Sequence, residues 1–482
     1  VNSFNKELLK LKVTDITANS KLVTQGSIFI ATKGYTVDSH LFIKEALKNG
    51  AIAVFAEQAR FAFLKEHLIE LEYLSKIILV DNTKLLINKL CNIFYHKLPQ
   101  NIVMVTGTNG KTSTVSMVSQ LLHHLGIASA QIGTTGIFFN EKSQKLYEKL
   151  TTPQVADLFK ILAKAKESNI NYTIAEASSE GLAEGRLELV PFNIAAFTNL
   201  SQDHLNYHKK MECYFNAKSK LFTELLPKNG TAIVNQDDSY GNKLIQACKD
   251  RNLNVLSYGK QGENLKLLDV KFQDSGYVVT FYYNSKTYSI TLNLLGEFQV
   301  YNLLCALLIV LSLKVTTLEQ LIEFVPLLKS AKGRLELVRE YNGAKIFVDY
   351  AHTPEALELA LKSLKPLTFG QLYVVFGCGG NRDKAKREIM GRVASNIANF
   401  SYITDDNPRN EDPASIRSDI IKGFSNNYNY LNIENREQAI IAAIKNLKNG
   451  DILLVAGKGH EEVQIVKNKA IAFSDINVVL NA

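Results

Sequence analysis

The chain has 482 residues, 46% of them hydrophobic and 21% charged, which is ordinary globular material and long enough for two to four domains rather than one core. Its net charge of +8 comes from lysines spread along the chain, with no basic block interleaved with aromatics; this argues against a nucleic-acid partner and suits a polyanionic small substrate. Cys91, Cys213, Cys248, Cys305 and Cys378 are scattered without a C-x-x-C pair, which argues against a disulfide framework or zinc site and favours a reducing compartment.

The opening stretch VNSFNKELLKLKVTD has no apolar signal core, so a cytoplasmic protein is expected. Residues 1–98 alternate short strands (SIFIA, AIAVFAE, KIILVD) with helical stretches and form a small α/β domain ending near Leu98-Pro99. A central domain, 99–330, opens with the strand NIVMVT, which runs into VTGTNGKTST at 105–114. Val115, Val118, Leu121, Leu122 and Leu125 then recur at helical spacing, and Gly126 can end that helix. The run NLLCALLIVLSL at 302–313 is too short to cross a membrane and reads as a buried helix. YVVTFYYNSKTYSITLNL alternates around Asn284-Ser285, as expected of an antiparallel hairpin attached to a parallel sheet.

The last domain, 331–482, repeats one pattern in KIFVDYAHTP, LYVVFGCGGNRD, YITDDNPRNED and ILLVAGKGHEE: an apolar strand runs into a loop crowded with polar residues. Ligands of open α/β sheets sit at the carboxyl ends of strands, so these four ends imply one shared site. Turn chemistry is the plain alternative for any one of them, because Gly, Asn and Asp make loops anyway.

The stretch at 105–114 almost matches the phosphate-loop spacing G-x-x-x-x-G-K-[ST], but Val105 stands where the first glycine belongs and Gly107 makes the loop two residues tighter. Strand, glycine loop and helix are the context such a match needs. Backbone N–H groups from Gly107 to Lys111 can cradle phosphates at the helix start. Lys111 brings a point charge to the terminal phosphates, and the Thr112 hydroxyl is placed to ligate Mg²⁺. A glycine turn that merely caps the helix is the bland reading. Glu176, ending the strand of YTIAEASSEGL, and His204, after the strand of FNIAAFTNLSQDHLNYH, could complete a metal site.

In order along the chain, GTNGKT, EASSEGL, TNLSQDHLNYH, YFNAKSKLF, GEFQVYN, KGRLE, DYAHTPEAL, GCGGNRDKAKR, DDNPRNEDP and GKGHE resemble the motif series of the Mur ligases. The resemblance spans residues from about 20 to 461. It implies a three-domain α/β protein: a small N-terminal α/β domain for a nucleotide sugar, a central P-loop ATPase-like domain with a mostly parallel sheet and the added hairpin, and a C-terminal Rossmann-like α/β domain for an amino acid. It implies an ATP-dependent ligase of cytoplasmic peptidoglycan precursor synthesis, expected to be a monomer. A substrate carboxylate is activated as an acyl phosphate, and an amine captures it.

By this resemblance Gly107, Thr108, Asn109, Gly110, Lys111, Thr112, Ser113, Asn302, Arg334, Asp349 and His352 bind ATP, with Asn302 and His352 on the adenine side. Thr112, Glu176 and His204 hold Mg²⁺ at two sites, together with Lys218, which takes up CO₂ to become N6-carboxylysine. Lys111, Lys218, His204 and Glu176 carry catalysis. Ser20, His40, Thr151, Thr152, Ser178 and Arg186 match positions binding UDP-N-acetylmuramoyl-L-alanyl-D-glutamate. Arg382, Asp406, Asn407, Pro408, Arg409, Gly457 and Glu461 match the pocket for meso-diaminopimelate. Arg409 suits the distal carboxylate that separates diaminopimelate from lysine, because a guanidinium grips a carboxylate bidentately. The sequence departs from the family at Asn19, Lys21, Glu180 and Gln299. An L-lysine-adding ligase, a folylpolyglutamate synthetase-like ligase and a nucleotide-dependent switch are the rival expectations.

Overall fold

In the computed structural model the described residues are 12–34, 37–60, 71–144, 150–273, 276–467 and 469–482; most of the opening stretch discussed above lies outside them. The chain folds into two compact units, 1–102 with 128–192 and 103–127 with 193–482. This grouping runs across the sequence segments rather than along them.

In the first unit the short apolar runs pair in parallel, in the order Asp15–Thr17, Ser27–Ile30, Ala53–Glu57, Ile77–Val80. Phe29, Val54 and Ala56 pack on Ile43, Ala46 and Leu47 of the helix Ile43–Lys48. The same unit holds a second set of strands. Ser129–Gly133 pairs in parallel with Tyr172–Glu176 and antiparallel with Gly136–Phe139. The helix Val155–Glu167 turns Val155, Leu158, Phe159, Ile161 and Leu162 inward, a spacing near 3.6 residues. Its Lys160 Nζ reaches Asp15 Oδ2 at 2.6 Å and ties this helix to the first sheet.

In the second unit, Asn101–Thr106 leads directly into the phosphate loop and the helix Lys111–His124. From residue 103 on, that strand runs parallel to Ile194–Phe197, which is followed outward by Thr231–Asn235, Asn254–Gly259 and Leu265–Gln273. The sheet then turns antiparallel through Gly276–Tyr283 and Lys286–Leu292. Asn284 and Ser285 make that turn at φ 45° and 64°, the pair of left-handed residues that a tight twisted hairpin requires. The apolar run at 302–313 falls almost wholly in the helix Phe298–Ser312, with Asn302 through Val310 buried.

The C-terminal sheet has the order Glu336–Tyr341, Ala344–Asp349, Ile452–Ala456, Leu372–Phe376, Phe400–Ile403, Tyr430–Asn432, antiparallel only at the first pair. The four strands of the repeated pattern are four adjacent members of its parallel set of five, so their loaded ends lie side by side. Leu357, Leu361, Met390 and Ile416 cover one face; Ala439, Ile440, Ala443 and Val479 cover the other. Arg436 and Asp475, both wholly buried, pair through two bonds of 2.7 and 2.8 Å. Arg436 also donates to the carbonyl of Ala456 at 2.8 Å. Removing one partner of such a pair leaves a buried charge uncompensated, which costs about 3–5 kcal/mol. The pair therefore fixes the strand end that carries Gly457. Among the described residues no helix is long and apolar enough to cross a membrane.

Candidate active site

The phosphate loop is held in shape by the end of the neighbouring strand. Thr108 N donates to Asn199 O at 2.8 Å and Asn109 N to Asn199 Oδ1 at 2.9 Å. Thr198 Oγ1 donates to Asn109 O at 2.6 Å. Two of the amides expected to cradle an anion are thus committed to Asn199, because the short loop is braced by its neighbour instead of by its own turns. The anion-binding share falls on the amides at the start of the helix, whose N-cap Gly110 is left-handed at φ 85°. A Cβ on Gly107, at φ 149°, would lie 1.9 Å from Thr198 Oγ1; one on Gly110 would lie 2.3 Å from Asn302 Oδ1. Glycine is required at both.

Lys111 Nζ curls onto the loop carbonyls of Gly107 and Thr108 at 2.9 and 2.8 Å. Lys218, 2% exposed, donates to Gly107 O at 2.7 Å and lies over the Tyr214 ring. Arg334 reaches across from the start of the C-terminal sheet: its Nη2 donates to Thr112 Oγ1 at 3.1 Å, and its guanidinium stacks on Tyr350. Its buried Nε has no hydrogen-bond partner, so one charged donor is held ready for an anion.

Asn109, Gly110, Ser113, Asn302, Arg334 and Asp349 line one cavity of about 320 Å³. Asn302 Nδ2 donates to Gln299 Oε1 at 2.9 Å, so the departure from the family at Gln299 serves to orient Asn302. Burial pushes the Asp349 carboxyl up to about 6, against the pull of the Arg334 guanidinium and its backbone donors. Asp349 holds Leu335 N and Ala351 N.

A second cavity, about 480 Å³, gathers His204 and His352 with Arg382, Asp406, Asn407, Arg409, Gly457 and Glu461. His352 lines this cavity rather than the first one. Burial above all pushes its imidazole down to about 4, with the Lys386 charge next, so it is neutral near pH 7. Its Nδ1 lies 2.9 Å from the Tyr350 carbonyl and must carry the proton, which leaves Nε2 as the acceptor. Arg409 sits at φ 52°, donates to Gly380 O at 3.0 Å, and is lowered from its ordinary value by burial and then by the Arg382 charge. Pro408 shapes the turn: its carbonyl accepts from Glu411 N at 3.1 Å. Arg387, wholly buried, anchors Glu411 and Asp419.

In the first unit Thr151, Thr152, Glu176, Ser178 and Arg186 come together. Glu176 accepts from Thr134 N at 2.9 Å and from Thr134 Oγ1 at 3.0 Å. Thr152 Oγ1 donates to Glu176 O and accepts from Ser178 N, both at 2.8 Å. Arg186 Nη1 donates to Thr152 O at 2.8 Å, while its Nη2 pairs with Glu184. Ser20 and His40 lie in short 3-10 turns, Ser20–Leu22 and Ser39–Phe42, that connect elements around the first sheet of that unit. Ser20 Oγ donates to Glu45 at 2.6 Å, and both His40 nitrogens are engaged, by Asp38 at 2.6 Å and Glu57 N at 3.1 Å. Asn19, another departure, caps its turn by accepting from Lys21 N. Among the described residues no group of three or more His, Cys, Asp or Glu could hold a metal ion.

A tightened phosphate loop and a separate charged cavity at the strand ends of a doubly wound sheet, both in one unit, have the form of a nucleotide-dependent α/β enzyme with a second substrate. Family models agree: the Mur ligase family catalytic domain matches residues 12–95, the Mur ligase middle domain 105–310, and the Mur ligase glutamate ligase domain 333–459. The protein of Rickettsia montanensis named UDP-N-acetylmuramoyl-L-alanyl-D-glutamate--2,6-diaminopimelate ligase is 42% identical over 474 residues, 97% of this chain and 95% of its own. A solved structure of a ligase of the same name superposes with TM-score 0.64 at 31% identity, covering 97% of this chain and 94% of that one. The MurF ligase of Thermotoga maritima, solved with ADP, shares the fold at TM-score 0.66 and 20% identity, covering 97% and 96%. The chain belongs to the Mur ligase family.

Proposed function

We infer that this chain is an ATP-dependent amide-bond ligase of peptidoglycan precursor synthesis, joining meso-diaminopimelate to UDP-N-acetylmuramoyl-L-alanyl-D-glutamate. The carrying observation is the second cavity, where Arg382 and Arg409 converge with Asp406, Asn407 and Glu461 in the unit that also holds the phosphate loop. Two guanidiniums fit a carboxylate, two acids fit an ammonium, and diaminopimelate presents both at its distal end. Lysine would leave two mutually repelling guanidiniums without their anion, and sites built for a polar group reject analogues lacking it by up to about 10⁴-fold.

The glycine cradle and the unsatisfied Arg334 Nε fit nucleotide phosphates. Lys111 exchanges its loop carbonyls for phosphate oxygens, while Arg334 and the helix-start amides stabilise charge on the phosphoryl group in flight. The substrate carboxylate attacks that phosphoryl group, ADP leaves, and the amine then displaces phosphate from the acyl phosphate. Arg186, Thr152 and their neighbours hold the nucleotide-sugar dipeptide. In the second unit Thr112, His204 and Lys218 as its carbamate would hold Mg²⁺, and in the first unit Glu176 is the candidate carboxylate ligand; oxygen ligands suit a hard cation, whereas an unmodified amine does not. Magnesium, when bound, supplies neutralisation of phosphate charge.

Phosphate release tests this reading. It should require the dipeptide nucleotide and diaminopimelate together; release that needs neither would point to a nucleotide switch. Gly107→Ala should weaken ATP binding by at least about tenfold, because its Cβ displaces Thr198 and distorts the cradle. Titration with a non-hydrolysable ATP analogue reads this, and unchanged affinity would remove the loop from the nucleotide site.

A further inference from the structure

Lys458 appears in none of the assignments above, yet it lies beneath the second cavity with its side chain wholly buried. An ammonium has three donors and no acceptor, and burying it is costly unless all three are used. All three are used. Lys458 Nζ donates to Asn407 Oδ1 at 3.0 Å, Glu461 Oε2 at 2.7 Å and Val463 O at 2.8 Å. Two of those acceptors belong to side chains that line the cavity.

The contacts around it leave little freedom. Asn407 Oδ1 also accepts from Ile465 N at 2.9 Å, so its Nδ2 must face Glu461, to which it donates at 2.9 Å. The side-chain bonds to Glu461 therefore fall on Oε2, from Lys458 and Asn407, and leave Oε1 for a ligand. The same stretch of chain holds the recognition arginine by its backbone: Arg409 N donates to Ile465 O at 3.0 Å, and Lys467 N to Arg409 O at 2.6 Å. The stretch 463–467 thus supports both Asn407 and Arg409, and Lys458 grips its first residue through the Val463 carbonyl while holding Asn407 and Glu461 directly.

We propose that Lys458 is a positioning residue for the incoming amino acid, fixing Glu461 and Asn407 so that the free carboxylate oxygen meets the substrate ammonium. This rests on reading the second cavity as the amino-acid pocket. Lys458→Met keeps the bulk and removes the charge. It should raise the KM for diaminopimelate roughly 10- to 100-fold, the usual worth of a charged hydrogen bond. KM values for ATP and for the dipeptide nucleotide should stay within about threefold. In a Glu461→Gln background the same change should add less than about threefold, since Lys458 acts through Glu461. Should the Met variant fail to fold, Lys458→Gln gives the same readout. A lowered Tm with all three KM values rising together, or an unchanged amino-acid KM, would overturn the proposal. Arg409→Ala separates the two levels: if it raises the amino-acid KM and the Lys458 variants do not, only this inference falls. If it too has no effect, the pocket reading falls.

Discussion

Lys218→Ala is expected to lower turnover by about 10³-fold or more, some 4 kcal/mol of barrier, while Tm moves by only a few degrees. Lys218 is buried against the Tyr214 ring and bonded to the carbonyl of the first loop glycine, next to the strand that feeds the phosphate site. As an ammonium it would repel a metal ion; as a carbamate it would bind one. Lys218→Arg distinguishes these, because it keeps the positive charge and cannot take up CO₂. Both variants should be inactive, and the parent should lose activity in CO₂-depleted buffer and regain it with bicarbonate. An active Arg variant would rule out the carbamate, and an active Ala variant would remove Lys218 from catalysis.

Arg409→Ala should raise the KM for diaminopimelate by about 10²- to 10³-fold, consistent with losing a buried charge-assisted pair worth about 3–4 kcal/mol. The KM for ATP should change by less than about threefold, since Arg409 lines the second cavity and not the first. Competition between lysine and diaminopimelate gives a second readout: the preference for diaminopimelate should collapse in the Ala variant. Arg409→Lys should recover only part of it, because a point charge lacks the fork that meets both carboxylate oxygens. Equal losses for ATP and the amino acid would contradict the role.

What the sequence made legible was local. The glycine spacing, the hairpin at Asn284-Ser285 and the four loaded strand ends all follow from short-range rules, and the sheet order then sets those ends side by side. The remainder depended on long-range contacts that no window displays. Asn199 braces the phosphate loop from 90 residues away, and Arg334 reaches Thr112 across 222. His352 sits in a motif read as adenine-binding but lines the other cavity. His40 spends both ring nitrogens on Asp38 and Glu57, a structural commitment invisible in composition. Lys458 was hidden for a simpler reason: a lysine in a glycine-rich loop looks solvated until the fold closes over it. Residues 128–192 pack with the first segment, although no change of composition marks them off.

The central claim is that the phosphate loop delivers a phosphoryl group to the substrate's own carboxylate, and isotope transfer tests it most directly. With ¹⁸O placed in the D-glutamyl carboxyl group, each turnover should carry labelled oxygen into the released inorganic phosphate. Amide product formed alongside unlabelled phosphate would contradict the account.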